Sequence, residues 1–130
     1  MSEIKLLLVD DEEGFVTTLA ERLGLRGIEP RVALNGARAL ELIEEDEPGV
    51  MVLDLRMPGM SGTEVLREVK SRWPAIRVIM LTGHGSDAER ETCMGLGAAA
   101  YHKKPLDIEE LLDSIRAASR TPGRGGRGGA

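Results

Sequence analysis

Runs of consecutive apolar residues alternate with helically spaced apolar positions five times along the chain. Residues 4–9 form a short apolar run broken only by Lys5, as expected of a strand covered on both faces. Residues 12–26 then set Phe15, Val16, Leu19, Ala20 and Leu23 on one helical stripe, and Gly27 closes the helix. A weaker strand is predicted at 28–34. Its Pro30 cannot donate to a ladder, which places it at a sheet edge. Asn35-Gly36 opens a second helix with Ala37, Leu40 and Ile43 as its apolar face, ended before Pro48-Gly49. Residues 50–55 read Val-Met-Val-Leu-Asp-Leu, a buried strand with a carboxylate near its carboxyl end.

Ser61 and Glu64 have capping-box spacing ahead of a helix that carries Val65, Leu66 and Val69 and stops at Pro74. Residues 76–81 are the fourth strand. Ser86 and Glu89 repeat the capping box and open a helix ending around Gly95 and Gly97. Thr92, Cys93 and the interior Gly95 make this the least stable helix expected. Residues 98–102 form a short last strand, and Asp107 and Glu110 begin a final helix striped by Ile108, Leu111, Leu112 and Ile115. Strands alternating with helices in this way give an α/β fold on a parallel sheet with right-handed crossovers. In such sheets ligands sit beyond the carboxyl ends of the strands, where the strand order reverses.

Composition narrows the class. A chain of 130 residues, 42% hydrophobic and 30% charged, suits one soluble domain. Phe15, Trp73 and Tyr101 are its only aromatics, so the core is aliphatic and a base-stacking platform is excluded. Trp73, at a helix end, is expected to serve packing. The net charge of -5 hides an asymmetry: residues 114–130 carry Arg116, Arg120, Arg124 and Arg127 and no acid. The other 113 residues hold 13 basic and 22 acidic side chains, too acidic a body for direct nucleic-acid binding. The Gly/Arg-rich stretch 120–130 is expected to be disordered, leaving 1–119 as the domain. Cys93 stands alone, which excludes an intramolecular disulfide. Without an 18-residue apolar run or a signal-peptide pattern, a cytoplasmic location off the membrane is expected.

The chemistry lies at the carboxyl ends of the strands. Asp10-Asp11 follows the first, Asp54 the third, Thr82-Gly83 the fourth and Lys103-Lys104-Pro105 the fifth. Carboxylates brought this close repel, and burial makes each anion costlier. A hard divalent cation and one lysine would cancel three negative charges. Mg²⁺ suits the task, since it takes oxygen ligands at about 2.0–2.1 Å and often bridges carboxylates to phosphoryl oxygens. Taken alone, Asp10 to Glu13 would serve equally well as the acidic first turn of a helix. An aspartate closing a Val-Met-Val-Leu strand is harder to explain structurally.

These residues, with Asp54-Leu55-Arg56-Met57-Pro58-Gly59-Met60-Ser61-Gly62 and Lys104-Pro105, resemble the receiver-domain signature of response regulators in two-component signalling. The likeness covers about residues 4–118. It implies a flavodoxin-like (βα)5 fold with strand order 2-1-3-4-5 and a phosphorylation switch that catalyses only its own phosphorylation and dephosphorylation. Asp54 would be the phosphoacceptor. Mg²⁺ would be held by Asp11, Asp54 and the Arg56 main-chain carbonyl, with Asp10 acting through water. Thr82, Gly83 and Lys104 would bind the phosphoryl group, and the bond before Pro105 is expected to be cis. Tyr101 matches the switch aromatic that follows Thr82, with output through the fourth helix, fifth strand and fifth helix. His84 occupies a position that tunes dephosphorylation in the family, or is a solvated loop histidine.

The implied partners are a sensor histidine kinase or a histidine phosphotransfer protein, and then an effector protein or a missing output domain. A phosphorylation-dependent homodimer is left open. Other classes fit poorly. A dehalogenase-type phosphatase needs an aspartate where Arg56 stands, and a flavodoxin or P-loop needs a phosphate cradle where Asp10-Asp11-Glu12-Glu13 would repel one. A receiver fold used only for docking would not need the full acidic, hydroxyl and lysine set.

Overall fold

The pleat of a strand sends alternate side chains to opposite faces, and every strand in the middle of this sheet is apolar on both. A computed structural model describes residues 4–120. In chain order the elements are β1 (Leu6–Val9), α1 (Glu13–Gly24), β2 (Arg31–Ala33), α2 (Gly36–Glu45) and β3 (Val50–Leu53). There follow α3 (Gly62–Arg72), β4 (Arg77–Thr82), α4 (Asp87–Gly95), β5 (Ala100–Lys103) and α5 (Ile108–Arg120). The strands form one parallel sheet in the order β2-β1-β3-β4-β5. The fold is flavodoxin-like, with β2 on an edge as expected, although the strand is Arg31–Ala33 and not 28–34, so Pro30 lies just ahead of it and not in its ladder.

Two cores result. Leu7, Val9, Met51, Leu53, Val78 and Met80 face α2 and α3 and join Leu66, Val69 and Cys93. Leu6, Leu8, Val50, Val52, Ile79 and Leu81 face the other way and pack on Val16, Leu19 and Leu23 of α1 and on the Ile108, Leu111, Leu112 and Ile115 stripe of α5. The helix starts are built as their sequences dictate. Asn35 accepts from the Arg38 amide, and both Ser61 with Glu64 and Ser86 with Glu89 close full capping boxes.

Three expectations need correcting. The buried face of α2 is Gly36, Ala39, Leu42 and Ile43, whereas Ala37 is exposed and Leu40 only half-buried. Gly36 sets that rotation, because a Cβ there would lie 2.7 Å from Val65 and 2.8 Å from Met60. The last strand begins at Ala100, not at Ala98. Gly97, at φ +106°, and the Ala98 amide bonded to the Cys93 carbonyl first turn the chain out of α4. Phe15 belongs to the α1 stripe by spacing but is 36% exposed and lies outside the core. The Gly/Arg-rich stretch falls outside the described residues from 121 onward. Among those described, no helix is long and apolar enough to cross a membrane.

Helix α4 is anchored by one buried residue, Cys93, whereas α3 and α5 bury four and five. With so little apolar area to lose, α4 should open most readily. Amide hydrogen exchange in α4 is therefore expected to run at least about ten-fold faster than in α3, the consequence of a 1.4 kcal/mol smaller opening energy. Equal protection in the two helices would contradict this.

Candidate functional site

Strand register assembles the site. Val9 pairs with Leu53 and Thr82 with Lys103, so the next residues along each strand, Asp10, Asp54 and Lys104, emerge at the same rim. Backbone bonds hold them there: Asp10 N donates to the Ala33 carbonyl, Asp54 N to the Val9 carbonyl at 2.9 Å, and Lys104 N to the Thr82 carbonyl at 2.8 Å. Carboxylate oxygens of Asp10, Asp11 and Asp54 all lie within 4.8 Å of one another. Asp10 and Asp54 are each 4% exposed, while Asp11 is open to solvent. Three hard oxygen donors at this separation can hold a divalent cation.

The buried carboxylates are only partly compensated. Asp54 Oδ1 accepts from its own chain at Leu55 N, 2.9 Å away, and that bond, the Lys104 charge and the buried Thr82 hydroxyl act to lower its pKa. Burial first, and the Asp10 charge second, still push the Asp54 carboxyl above its ordinary range. Asp10 takes the Glu12 amide on Oδ1 and the Lys104 ammonium on Oδ2, both within 2.9 Å. Burial alone would depress Lys104, but the hydrogen bonds it donates to Asp10 and Glu12, with the charges of Asp10 and Asp54, outweigh it and raise its pKa. Gly83 lies exposed beside the Lys104 stem, and the Lys104-Pro105 peptide is cis as expected.

The loop after β3 is fixed from below by Gly62. Its amide bonds the Leu55 carbonyl at 2.7 Å, and a Cβ on it would strike the Asp54 carbonyl at 2.1 Å. Only glycine lets α3 start this close to the Asp54 backbone. Arg56, whose backbone the sequence singled out, also uses its side chain: it clasps both oxygens of Glu89 at 2.8 and 2.9 Å, tying this loop to the first turn of α4. Tyr101 is turned inward. Its hydroxyl is buried with no hydrogen-bond partner among the described residues, and a Cβ on Gly85 would meet that oxygen at 1.4 Å and Thr82 Cγ2 at 3.2 Å. His84 sits exposed in this loop, its amide donating to the Thr82 hydroxyl at 3.2 Å.

All the residues singled out from the sequence thus gather at one rim, Tyr101 one layer behind. Sequence reasoning missed Glu12 and Phe15 as contacts of Lys104, Gly85 as the receptacle for Tyr101, and the Arg56–Glu89 pair. The two capping-box acids looked alike in sequence, and nothing there told which one also reaches across to an arginine.

A sequence model of the response regulator receiver domain matches residues 6–116. The chain belongs to the response regulator receiver domain family. Sporulation initiation phosphotransferase F of Bacillus subtilis is 34% identical over 116 residues, covering 89% of this receiver domain and 94% of that protein. Response regulator MprA of Mycobacterium ulcerans is 36% identical over 117 residues, 90% of this chain but only 50% of MprA. The receiver domain thus spans about half the length of that relative. A solved response regulator protein from Burkholderia pseudomallei, with a phosphorylated aspartic acid, a calcium ion and citrate, superposes with a TM-score of 0.83 at 30% identity, covering 90% of this chain and 69% of that one.

Two tests follow from this geometry. Gly85→Ala should expel the Tyr101 ring, seen in a crystal structure or as a changed Tyr101 ring environment by NMR; an unmoved ring would refute the steric reading. The raised pKa of Asp54 also has a sign. A carboxyl held above its unfolded value costs no stability at low pH, and the cost grows as pH rises from the unfolded value to the folded one. Asp54→Asn should therefore raise the unfolding free energy of metal-free protein at neutral pH by about 0.5–2 kcal/mol, read from urea titrations. That gain should vanish near pH 3, where both forms are uncharged. A gain independent of pH would contradict the cause given.

Proposed function

We propose that this receiver domain is a phosphorylation switch in which Asp54 accepts a phosphoryl group from a phosphohistidine, on a sensor histidine kinase or a histidine phosphotransfer protein. The observation that carries the reading is a buried aspartate, under-compensated by its surroundings, at a rim with two more carboxylates and one ammonium. The Burkholderia relative, with its phosphorylated aspartic acid, supports it.

Mg²⁺ is the cation this donor set fits, because every ligand offered is a hard oxygen and the buried carboxylates repel each other without it. Asp11, Asp54 and the Arg56 carbonyl would hold it, with Asp10 through water. When bound it neutralises charge on the carboxylates and on phosphoryl oxygens. The protein's own groups do the positioning. An Asp54 carboxylate oxygen forms a bond to phosphorus as the donor's nitrogen–phosphorus bond breaks, its electron pair returning to the imidazole. Lys104 turns from Asp10 and Glu12 to a phosphoryl oxygen, and the Gly83 amide and the Thr82 hydroxyl donate to others. Hydrolysis of the aspartyl phosphate, beside His84, resets the switch; no other substrate is turned over.

Phosphorylation exchanges a single negative charge for about two and adds acceptor oxygens. Thr82 follows the phosphoryl group after the reaction, and the Tyr101 ring then takes the space beside Gly85 and Thr82 more fully. The α4, β5 and α5 face carries that change outward. Its reader is an effector protein, a second copy of this chain, or an output domain such as the extra length of the MprA relative could contain. The donor protein must seat beside the acidic mouth. An apolar groove lined by Phe15, Leu19, Leu106, Ile108 and Leu111 lies between α1 and the start of α5. The setting expected for such a relay is the cytoplasm.

Incubation with acetyl phosphate and Mg²⁺ should add the mass of one phosphoryl group to the wild type and none to Asp54→Ala, with EDTA abolishing the gain. Equal modification of the variant would move the phosphoacceptor elsewhere.

A further inference from the structure

The Lys104 ammonium has three protons to donate and must give at least one to a phosphoryl oxygen if the reading of Asp54 holds. In the resting structure its donors are engaged elsewhere. Nζ lies 2.8 Å from Asp10 Oδ2, 2.9 Å from Glu12 Oε1 and 4.1 Å from the centre of the Phe15 ring, and the side chain is only 14% exposed. No ion pair joins it directly to Asp54 among the described residues.

The two carboxylates on Lys104 are not equivalent. Asp10 belongs to the three-carboxylate cluster, so a cation drawn into that cluster competes with the lysine for it. Glu12 lies outside the cluster. It stands at the N-cap of α1, yet its side chain makes no capping bond; it reaches over to Lys104 instead. Phe15, one turn along α1, closes the third side with the face of its ring.

We infer that Glu12 is a positioning residue: with the Phe15 ring it forms a resting hold on Lys104 that must open before the lysine can reach the phosphoryl group. This rests on Asp54 being the phosphoacceptor and goes beyond it by making the release of Lys104 part of the barrier. Glu12 acts only through Lys104 and touches no reacting atom. Because its side chain is 63% exposed, the hold has the strength of a solvent-screened ion pair, which sets the effect of losing it at about two- to five-fold.

The test compares wild type, Glu12→Gln and Glu13→Gln. Glu13 is adjacent and exposed, carries the same charge and is not a partner of Lys104, so it reports general electrostatics at the mouth. Two measurements are made. In metal-free protein without any donor, the Lys104 ammonium is followed by proton–nitrogen NMR. Its signal should be protected in the wild type and in Glu13→Gln, and lost to solvent exchange in Glu12→Gln. With Mg²⁺ and acetyl phosphate, Glu12→Gln should be phosphorylated about two- to five-fold faster than the wild type, while Glu13→Gln stays near it. An unchanged Glu12→Gln, or a Glu13→Gln that matches it in both measurements, overturns the hold. A wild type that takes no phosphoryl group overturns the parent reading along with it, and the donor-free NMR measurement separates that failure from a missing hold.

Discussion

The rim of the sheet gathers more negative charge than the chain neutralises by itself. Asp10 and Asp54 are both nearly buried, Asp11 and Glu12 stand beside them, and among the described residues Lys104 is the one cation in ion-pair contact with any of these four. Two like charges 4 Å apart repel by about 4 kcal/mol at the effective dielectric of a protein surface. Such a cluster persists only because strongly paired backbone holds it in place. The β1 and β3 ladders fix Asp10 and Asp54, the Thr82 carbonyl fixes Lys104, and Gly62 lets α3 brace the Asp54 backbone from beneath. Added positive charge, or a phosphoryl group that recruits the lysine, relieves what the fold leaves uncompensated. The site is therefore responsive because it is unsatisfied.

That response needs a route to the surface, and the route is built from shallow parts. The Arg56–Glu89 pair joins the loop after Asp54 to the first turn of α4. Glu89 is also the acid of the α4 capping box, so one side chain serves both the helix start and the tie across the mouth. A pull on Arg56 is a pull on the cap. Helix α4 buries little besides Cys93, and the Tyr101 ring beside it occupies a space that exists only because residue 85 lacks a side chain. By contrast α1, α3 and α5 each bury three residues or more. Under the proposed function, displacement at the rim would be taken up by the element with the least to lose on moving.

The sheet was legible because its central strands are apolar on both faces and most helices keep an apolar stripe; the strand order came from the receiver-domain resemblance, since Pro30 lies ahead of β2 and not within it. The acidic and basic site residues were legible for the same reason, since each follows a strand end and strand ends share a rim. What the pattern could not carry were contacts between loops. Glu12 reads as one more acid in a helical first turn and Phe15 as the opening of an apolar stripe, and Gly85 carries no signal at all in the sequence. Each acquires its meaning from a partner remote in sequence: Lys104 for the first two, Tyr101 for the third. Ala37 fails for a related reason. Spacing gives the period of α2 but not its phase, which the close approach of Gly36 to Val65 and Met60 decides.

The shortage of aromatics then takes on a mechanical sense. An aliphatic core from Leu7 to Ile115 fills the space between sheet and helices without any ring at its centre. Of the three aromatic side chains, one lies against Lys104, one against Thr82 and Gly85, and the third under the Arg72 guanidinium at the end of α3. A ring offers a flat face to a cation and turns as a rigid plate about two torsions, and neither property is useful in a close-packed interior. Phe15 alone stands at the rim outside both cores, whereas Tyr101 and Trp73 pack, partly buried, against the core under α2 and α3.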